Sequence, residues 1–160
     1  MSDAMTSTLI LLQFFEGSCR ACRHKFSMPL LSDFSYGEFI LHGKRQHVFG
    51  FLSSLDEPAW DDIDARLRQA GLFSAFATGR DIDRFHRVIA ASADAIGGQR
   101  LVPFPVCPSC GSRSIAYGDS KPQDIRSVPR VTFSEYQQLS SEMKSQKVAE
   151  LWSSSHDHCA

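Results

Sequence analysis

The sequence lacks the features that define several large classes of protein. No run of about 18 apolar residues occurs among its 160 residues, so we expect no membrane-spanning helix. Seventeen Lys and Arg residues against 18 Asp and Glu residues give a formal net charge of −1, so no overall field attracts nucleic acid or anionic lipid. With 42% hydrophobic and 22% charged residues, the composition is that of a folded globular chain.

The common motifs of enzyme active sites are also missing. The chain contains no G-x-x-x-x-G-K-[ST], G-x-G-x-x-G, H-E-x-x-H or G-x-S-x-G, and no histidine is followed two residues later by glutamate, as zinc deaminases require. Asp83 and His86 lie one helical turn apart, a spacing that is more often a solvated surface pair than a catalytic one. We therefore predict a non-enzymatic protein.

The first residues carry no signal for secretion. Residues 1–8 include Asp3 but no Lys or Arg, and the apolar run 9–12 is interrupted by Gln13. A signal peptide needs a basic start and a longer apolar stretch, so we expect a cytoplasmic protein. Thiols stay reduced in that compartment, and its five cysteines are more often metal ligands or redox groups there than disulfides.

Periodicity and turn residues predict an α+β fold in one domain of residues 1–160. We expect strands at 8–15, 36–41 and 46–52, the last two forming an antiparallel hairpin through residues 42–45. Five prolines make residues 101–130 mostly loop around one short strand at 114–117. The zinc-clamped β region is thus expected to comprise about 8–52 and 101–130.

The helices are predicted from their start and stop signals. A helical insert over about 56–98 begins at Asp56, Glu57 and Pro58, breaks at Gly71, and resumes after a capping box from Thr78 to Asp81 until Gly97 and Gly98. A second capping box, Thr132 with Glu135, predicts a C-terminal helix to about 152. The apolar residues expected to pack are Trp60, Ile63, Leu67, Ile82, Phe85, Ile89, Ile96, Tyr136, Leu139, Met143, Leu151 and Trp152.

Four of the five cysteines form two C-x-x-C pairs, which are the strongest functional signal in the chain. These are Cys19 with Cys22 and Cys107 with Cys110. Two cysteines three residues apart on a tight turn can direct both sulfurs at one ion, and two such turns complete a tetrahedral shell. We therefore predict a single structural Zn²⁺ bound by all four.

The segment Cys107-Pro108-Ser109-Cys110-Gly111 resembles the knuckle of zinc-ribbon proteins, in which C-P-x-C-G recurs. The first pair is similar more loosely, because Arg23 stands where glycine follows the second cysteine. Ribbons place roughly 15–20 residues between pairs, whereas 84 residues (23–106) intervene here. The resemblance implies a zinc site whose two halves are brought together around an inserted helical region.

Other interpretations of the cysteines remain open. The pairs could stay free, or could bind separate metals with histidines such as His24 or His42. A thiol oxidoreductase at Cys19 and Cys22 is a further alternative, although such a motif normally starts a helix within a βαβ unit. A short tail cluster of His156, His158 and Cys159 is also metal-prone, but we expect only adventitious binding there.

The partner is predicted from the distribution of charge. Residues 56–64 carry five acidic side chains and no basic one, whereas 19–47 carry an excess of three positive charges. We expect a protein–protein interaction or adaptor module. The alternative is a nucleic-acid-binding protein that contacts phosphates through the basic residues of the second segment, Arg20, Arg23, Lys25, Lys44 and Arg45.

Overall fold

The structure, a computed structural model, describes residues 6–31, 36–43 and 48–155. It confirms the α+β class. The chain groups into two compact units, one of residues 1–55 and 95–131 and the other of residues 56–94 and 132–160. We call them the β unit and the helical unit; that they form a single domain stays a prediction. Among the described residues, no helix has both the length and the apolarity needed to cross a membrane.

The β unit contains six strands within the described ranges. They are β1 (Ser7–Cys19), β2 (Lys25–Leu31), β3 (Glu38–His42), β4 (Phe49–Ser53), β5 (Ile115–Ser120) and β6 (Asp124–Pro129).

The long strand β1 is the centre of the larger sheet. β2 pairs antiparallel with its second half, and the opposite edge of β1 is shared by β6 and then β5, both antiparallel. β1 therefore continues beyond residue 15, where we predicted its end, through Glu16, Gly17 and Ser18, because it has hydrogen-bonding partners on both sides there. The register shifts between Phe15 and Gly17, so this stretch contains an irregularity of the β-bulge kind.

Two strands were not expected from the sequence, because each contains a proline. Pro29 lies in β2, which pairs on one side only in this sheet, and Pro129 is the last residue of β6. Proline is tolerated at such edge and end positions, because its missing N–H is not needed for the ladder. The expectation that 101–130 is mostly loop was therefore wrong for residues 124–129, and β5 extends the predicted strand 114–117 to Ser120.

The predicted hairpin is confirmed as the pair β3 and β4, which forms a separate two-stranded sheet with Ile40 opposite Phe51. Residues 44–47 of its connection lie outside the described residues. Ile40 and Phe51 pack with Leu12, Phe14 and Val128 in one core cluster. A second cluster contains Cys19, Phe26, Met28, Cys107 and Ile115, and thus incorporates one cysteine of each pair.

The helical unit has four helices within the described residues: α1 (Pro58–Gln69), α2 (Gly79–Ser92), α3 (Ser134–Gln137) and α4 (Ser141–Ser154). The start of α1 is as predicted, because the Glu57 carboxylate accepts from the Ala59 N–H and Pro58 occupies the first turn. Ile63 and Leu67 are fully buried, whereas Trp60 is half-buried with its ring edge-on to Phe85.

The capping box of α2 is confirmed, but the end of this helix was predicted too late. Thr78 and Asp81 cap each other's backbone N–H groups. The helix ends at Ser92, and Ile96 lies beyond it in an isolated bridge with Gln99. Ile82, which we placed on the buried face, is 43% exposed.

The predicted C-terminal helix is divided into α3 and α4, and its predicted cap is wrong. Thr132 does not cap a helix; its hydroxyl donates to Asp94 Oδ2 at 2.6 Å. The Asp94 carboxylate accepts from the N–H groups of Ser134 and Glu135, so the cap of α3 comes from a residue distant in sequence. Tyr136 and Trp152 are buried as expected, and Leu139 and Leu151 partly so, but Met143 is 53% exposed.

Candidate metal centre

The first C-x-x-C pair forms a tight turn between β1 and β2. The Cys19 N–H donates to the His24 carbonyl at 2.9 Å, and the Arg23 N–H donates to the Cys19 carbonyl at 2.8 Å. Arg23 has φ = +64°, a left-handed conformation that is unusual for a residue with a side chain. We call residues 19–24 the first knuckle.

The second pair repeats this turn almost identically. The Cys107 N–H donates to the Ser112 carbonyl at 2.9 Å, and the Gly111 N–H donates to the Cys107 carbonyl at 2.8 Å. Gly111 has φ = +76°. Residues 107–112 are the second knuckle, and Arg23 and Gly111 occupy equivalent positions in the two.

Strand pairing brings the knuckles together. Cys19 ends β1 directly opposite Ile115, which begins β5, and the second knuckle precedes β5 by two residues. The Arg20 N–H also donates to the Ser114 carbonyl at 2.9 Å. The 84-residue separation (23–106) is thus bridged by the sheet.

The four sulfur atoms form one compact cluster. All of them lie within 4.8 Å of one another. The Cys19 and Cys110 sulfurs are 3.5 Å apart, as are those of Cys22 and Cys107. A tetrahedral ion with metal–sulfur bonds of about 2.3 Å needs sulfur separations of about 3.8 Å, whereas a disulfide needs about 2.05 Å. The cluster therefore fits a four-coordinate metal.

Burial differs within each pair in the same way. Cys19 and Cys107 are buried in the second core cluster, whereas Cys22 and Cys110 are exposed. The first cysteine of each knuckle thus fixes the site to the β unit, and the second covers it from the solvent side.

The electrostatics of the cluster favour a bound cation. The Cys22 N–H points at Cys19 Sγ from 3.5 Å and is the main cause that lowers the pKa of Cys19 to about 6. For Cys110 the Ser112 N–H acts in the same direction, but the neighbouring thiols of Cys19, Cys22 and Cys107, together with local desolvation of this otherwise exposed residue, outweigh it and raise the pKa to about 12. The four thiols cannot all ionise side by side without a compensating charge, so a cation that binds all four as thiolates would displace the remaining protons.

The side chains of the candidate histidine ligands His24 and His42 do not join the sulfur cluster. Among the described residues, the four cysteines are the only group placed to hold a metal ion. His24 is exposed and stacks on Phe26 with a centroid distance of 6.1 Å. His42 is buried in β3, and burial lowers its pKa to about 4. His156, His158 and Cys159 lie outside the described residues.

The other residues singled out in the sequence do not form one site. Arg20, Arg23 and Lys25 are exposed on or next to the first knuckle, whereas Lys44 and Arg45 lie outside the described residues. Burial lowers the pKa of His86, and the nearby Asp83 acts in the opposite direction. His86 also contacts the rings of Trp60 and Phe85.

Comparison with known proteins leaves the site to be interpreted on its geometry. No family model, no curated protein and no solved structure matches the chain. The likeness to zinc-ribbon proteins therefore rests on the two knuckles alone. The sequence places Arg23 at the glycine position of the first knuckle, but it does not indicate that Arg23 shares the left-handed conformation of Gly111, because arginine is not typical of that conformation.

Proposed function

We propose that this is a non-enzymatic zinc-binding protein, in which one structural Zn²⁺ joins the two knuckles and the β unit binds another protein. The observation that carries the proposal is the four-sulfur cluster. Four thiolates leave no open coordination position for substrate, which is the arrangement of structural rather than catalytic zinc.

The donor set favours zinc over most other ions. Thiolates are soft ligands, so the hard ions Mg²⁺ and Ca²⁺ are disfavoured, and tetrahedral sulfur sites hold Zn²⁺ or iron. Zinc has no redox chemistry, which suits a site that fixes two turns to a core. Cys19 and Cys22 lie in a turn between two strands rather than at a helix N-terminus, so a thiol oxidoreductase has less support than a zinc site.

The support for a protein partner is an apolar strip on the larger sheet. Leu9 is 74% exposed and Ile125 is 64% exposed. Leu11 lies directly opposite Ile125, and it shares a face with Leu9 because side chains alternate along β1. Contiguous exposed apolar residues on a folded protein usually mark an interaction surface. We define residues 9, 11 and 125 as the apolar strip.

The metal is tested by elemental analysis of the full chain purified from zinc- and iron-replete cells. We expect one zinc per chain, lost in Cys22→Ser and retained in Cys159→Ser, the matched change at the cysteine outside the two pairs. Iron in place of zinc, two metals per chain, or equal zinc loss in both variants would contradict the shared structural zinc site.

The partner is tested by quantitative affinity purification with two variants. Leu9→Glu combined with Ile125→Glu places charge on the apolar strip, whereas Phe76→Glu alters a residue that is 95% exposed on the helical unit. We expect a specific protein to be retained by the wild type and Phe76→Glu and lost from the double variant. Equal retention would oppose the apolar strip as the binding surface, and recovery of nuclease-sensitive RNA or DNA instead would favour nucleic-acid binding.

A further inference from the structure

A groove of about 470 Å³ crosses three strands of the larger sheet. Its floor is formed by small residues, Ser18 of β1, Ser27 of β2, and Ala116 and Gly118 of β5. In the sheet register Ser18 lies opposite both Lys25 and Ala116, and Glu16 lies opposite Ser27. These side chains therefore share one face, and the volume is within the range of about 300–1,000 Å³ found for small-molecule sites.

The groove is hollow because of local features of β1 and β5. The register irregularity between Phe15 and Gly17 changes the alignment of the strands at this point. A Cβ atom added to Gly118 would lie 3.4 Å from the Glu16 carbonyl oxygen and 3.5 Å from the Glu16 Cβ. A larger side chain at position 118 would thus occupy the space in front of Glu16.

Several polar side chains line the groove, and those that the structure describes do not pair with one another. Within residues 6–31, 36–43 and 48–155, the side chains of Glu16, Lys25 and Lys121 make no ion pair or hydrogen bond, and neither does the Ser27 hydroxyl. Two ammonium groups and one carboxylate therefore remain available to a ligand. The excess of positive charge suits an anion, and the carboxylate suits a hydrogen-bond donor on the same molecule.

We propose that this groove binds a nucleotide. Lys25 and Lys121 would bind the phosphate as two point charges, since lysine ammonium is a common phosphate partner. Glu16 would accept hydrogen bonds from the hydroxyls of the sugar. Tyr117 also lines the groove, but it lies opposite Gly17, so its ring belongs to the other face of the sheet and takes no part in the site.

The same chemistry is available from a free nucleotide or from one unit of a single-stranded nucleic acid. A second cavity of about 280 Å³ shares Ser27 and Lys121 with the groove and adds Arg126 and Asp124. These two residues form an ion pair of 3.0 Å, and the Arg126 guanidinium lies over the Phe14 ring, 4.3 Å from its centroid. The next nucleotide of a single-stranded nucleic acid could occupy the second cavity. Experiment must therefore distinguish a free nucleotide from a nucleic-acid strand as the ligand.

The experiment uses the full-length protein and two probes in calorimetric titrations, AMP and a ten-residue oligouridylate. The combined change Lys25→Ala and Lys121→Ala should weaken both interactions by roughly tenfold or more, because two charge-assisted contacts are lost. Lys147→Ala, on α4, is the matched control and should leave them unchanged. Ala116→Leu, which fills the groove without altering charge, should weaken both as well. Circular dichroism must show all four proteins folded.

Two comparisons test the assigned roles. Adenosine should bind at least roughly tenfold more weakly than AMP, because it lacks the charge that the lysines attract. Glu16→Ala should abolish the preference for AMP over its 2′,3′-dideoxy form, which lacks the sugar hydroxyls. Oligouridylate binding that exceeds AMP binding and falls steeply with salt assigns the groove to a strand, and equal binding assigns it to a free nucleotide. Failure of both probes to bind at millimolar concentration, or binding that ignores the groove variants, would overturn the proposal.

Discussion

Exchanging the residue types at the left-handed positions of the two knuckles should change stability in opposite directions. Arg23 has φ = +64° and Gly111 has φ = +76°. A non-glycine residue in this conformation costs about 1–2 kcal/mol, whereas glycine adds flexibility of about 0.4–1 kcal/mol to the unfolded chain. We therefore expect Arg23→Gly to raise the free energy of unfolding of the β unit by about 0.5–1 kcal/mol.

Gly111→Ala should lower the same free energy by a similar amount. No atom lies within 4 Å of a Cβ built at this glycine, so the loss comes from the backbone conformation alone. The measurement is urea unfolding of the metal-loaded protein, with amide hydrogen exchange at Arg23 and residue 111 to report on each knuckle.

Arg20→Gly is the matched control, because it removes the same side chain from the same knuckle at a position that does not have positive φ. It should destabilise by roughly 0.5–1 kcal/mol, since only the unfolded-state term remains. If Arg23→Gly destabilises the protein as much as Arg20→Gly does, the equivalence of the two knuckles is refuted.

The remaining predictions concern pH, the helix cap and the metal. Burial lowers the pKa of His42 to about 4 from an ordinary 6.5, so on acidification the unfolded state takes up this proton before the folded state does. The free energy of unfolding is therefore unaffected by this residue above pH 6.5 and falls by about 3 kcal/mol towards pH 4. His42→Phe should remove that part of the pH dependence in urea titrations at constant metal content, and an unchanged slope would contradict it. Asp94→Ala should destabilise the helical unit by about 1–2 kcal/mol, and more than Thr132→Ala, in thermal melts followed by circular dichroism, because two backbone N–H groups lose their acceptor; equal effects would show that the carboxylate does not cap α3. Cys107→Ser or chelation should raise hydrogen exchange in both knuckles while largely preserving the helical signal, because the helices belong to the other unit; loss of the helical signal would show that the metal supports the whole chain.

The parts of the fold that the sequence predicts are those set by local interactions. The capping box from Thr78 to Asp81 and the start of α1 at Glu57 and Pro58 each depend on residues within one turn. The α3 cap was mispredicted because Thr132 and Glu135 matched a local pattern, whereas Asp94 provides the actual acceptor from 40 residues before Ser134. A sequence pattern within one segment cannot reveal that a distant side chain supplies the hydrogen-bond acceptor.

The same distinction explains the strands. Pro29 argues against a strand when its segment is considered alone, but β2 needs only one pairing edge, and β1 supplies it. The length of β1 has a similar cause, because Gly17 is disfavoured in an isolated strand yet lies between Phe26 and Tyr117 of the two neighbours. Pairing with strands distant in sequence therefore determines which segments become strands and where they end, which local propensity alone does not determine.

The candidate metal centre could be predicted from its ligand type, although its two halves are far apart in the sequence. The sequence predicts that the two C-x-x-C pairs share one ion, because cysteine ligands at this spacing are by themselves typical of a four-coordinate metal site. Their common position could not be derived from the spacing, since it follows from the pairing of Cys19 with Ile115 at the end of the sheet. A protein that closes so long a loop loses chain entropy, and that loss grows only slowly with loop length. An 84-residue separation (23–106) is therefore compatible with a knuckle pair that is usually found much closer in sequence.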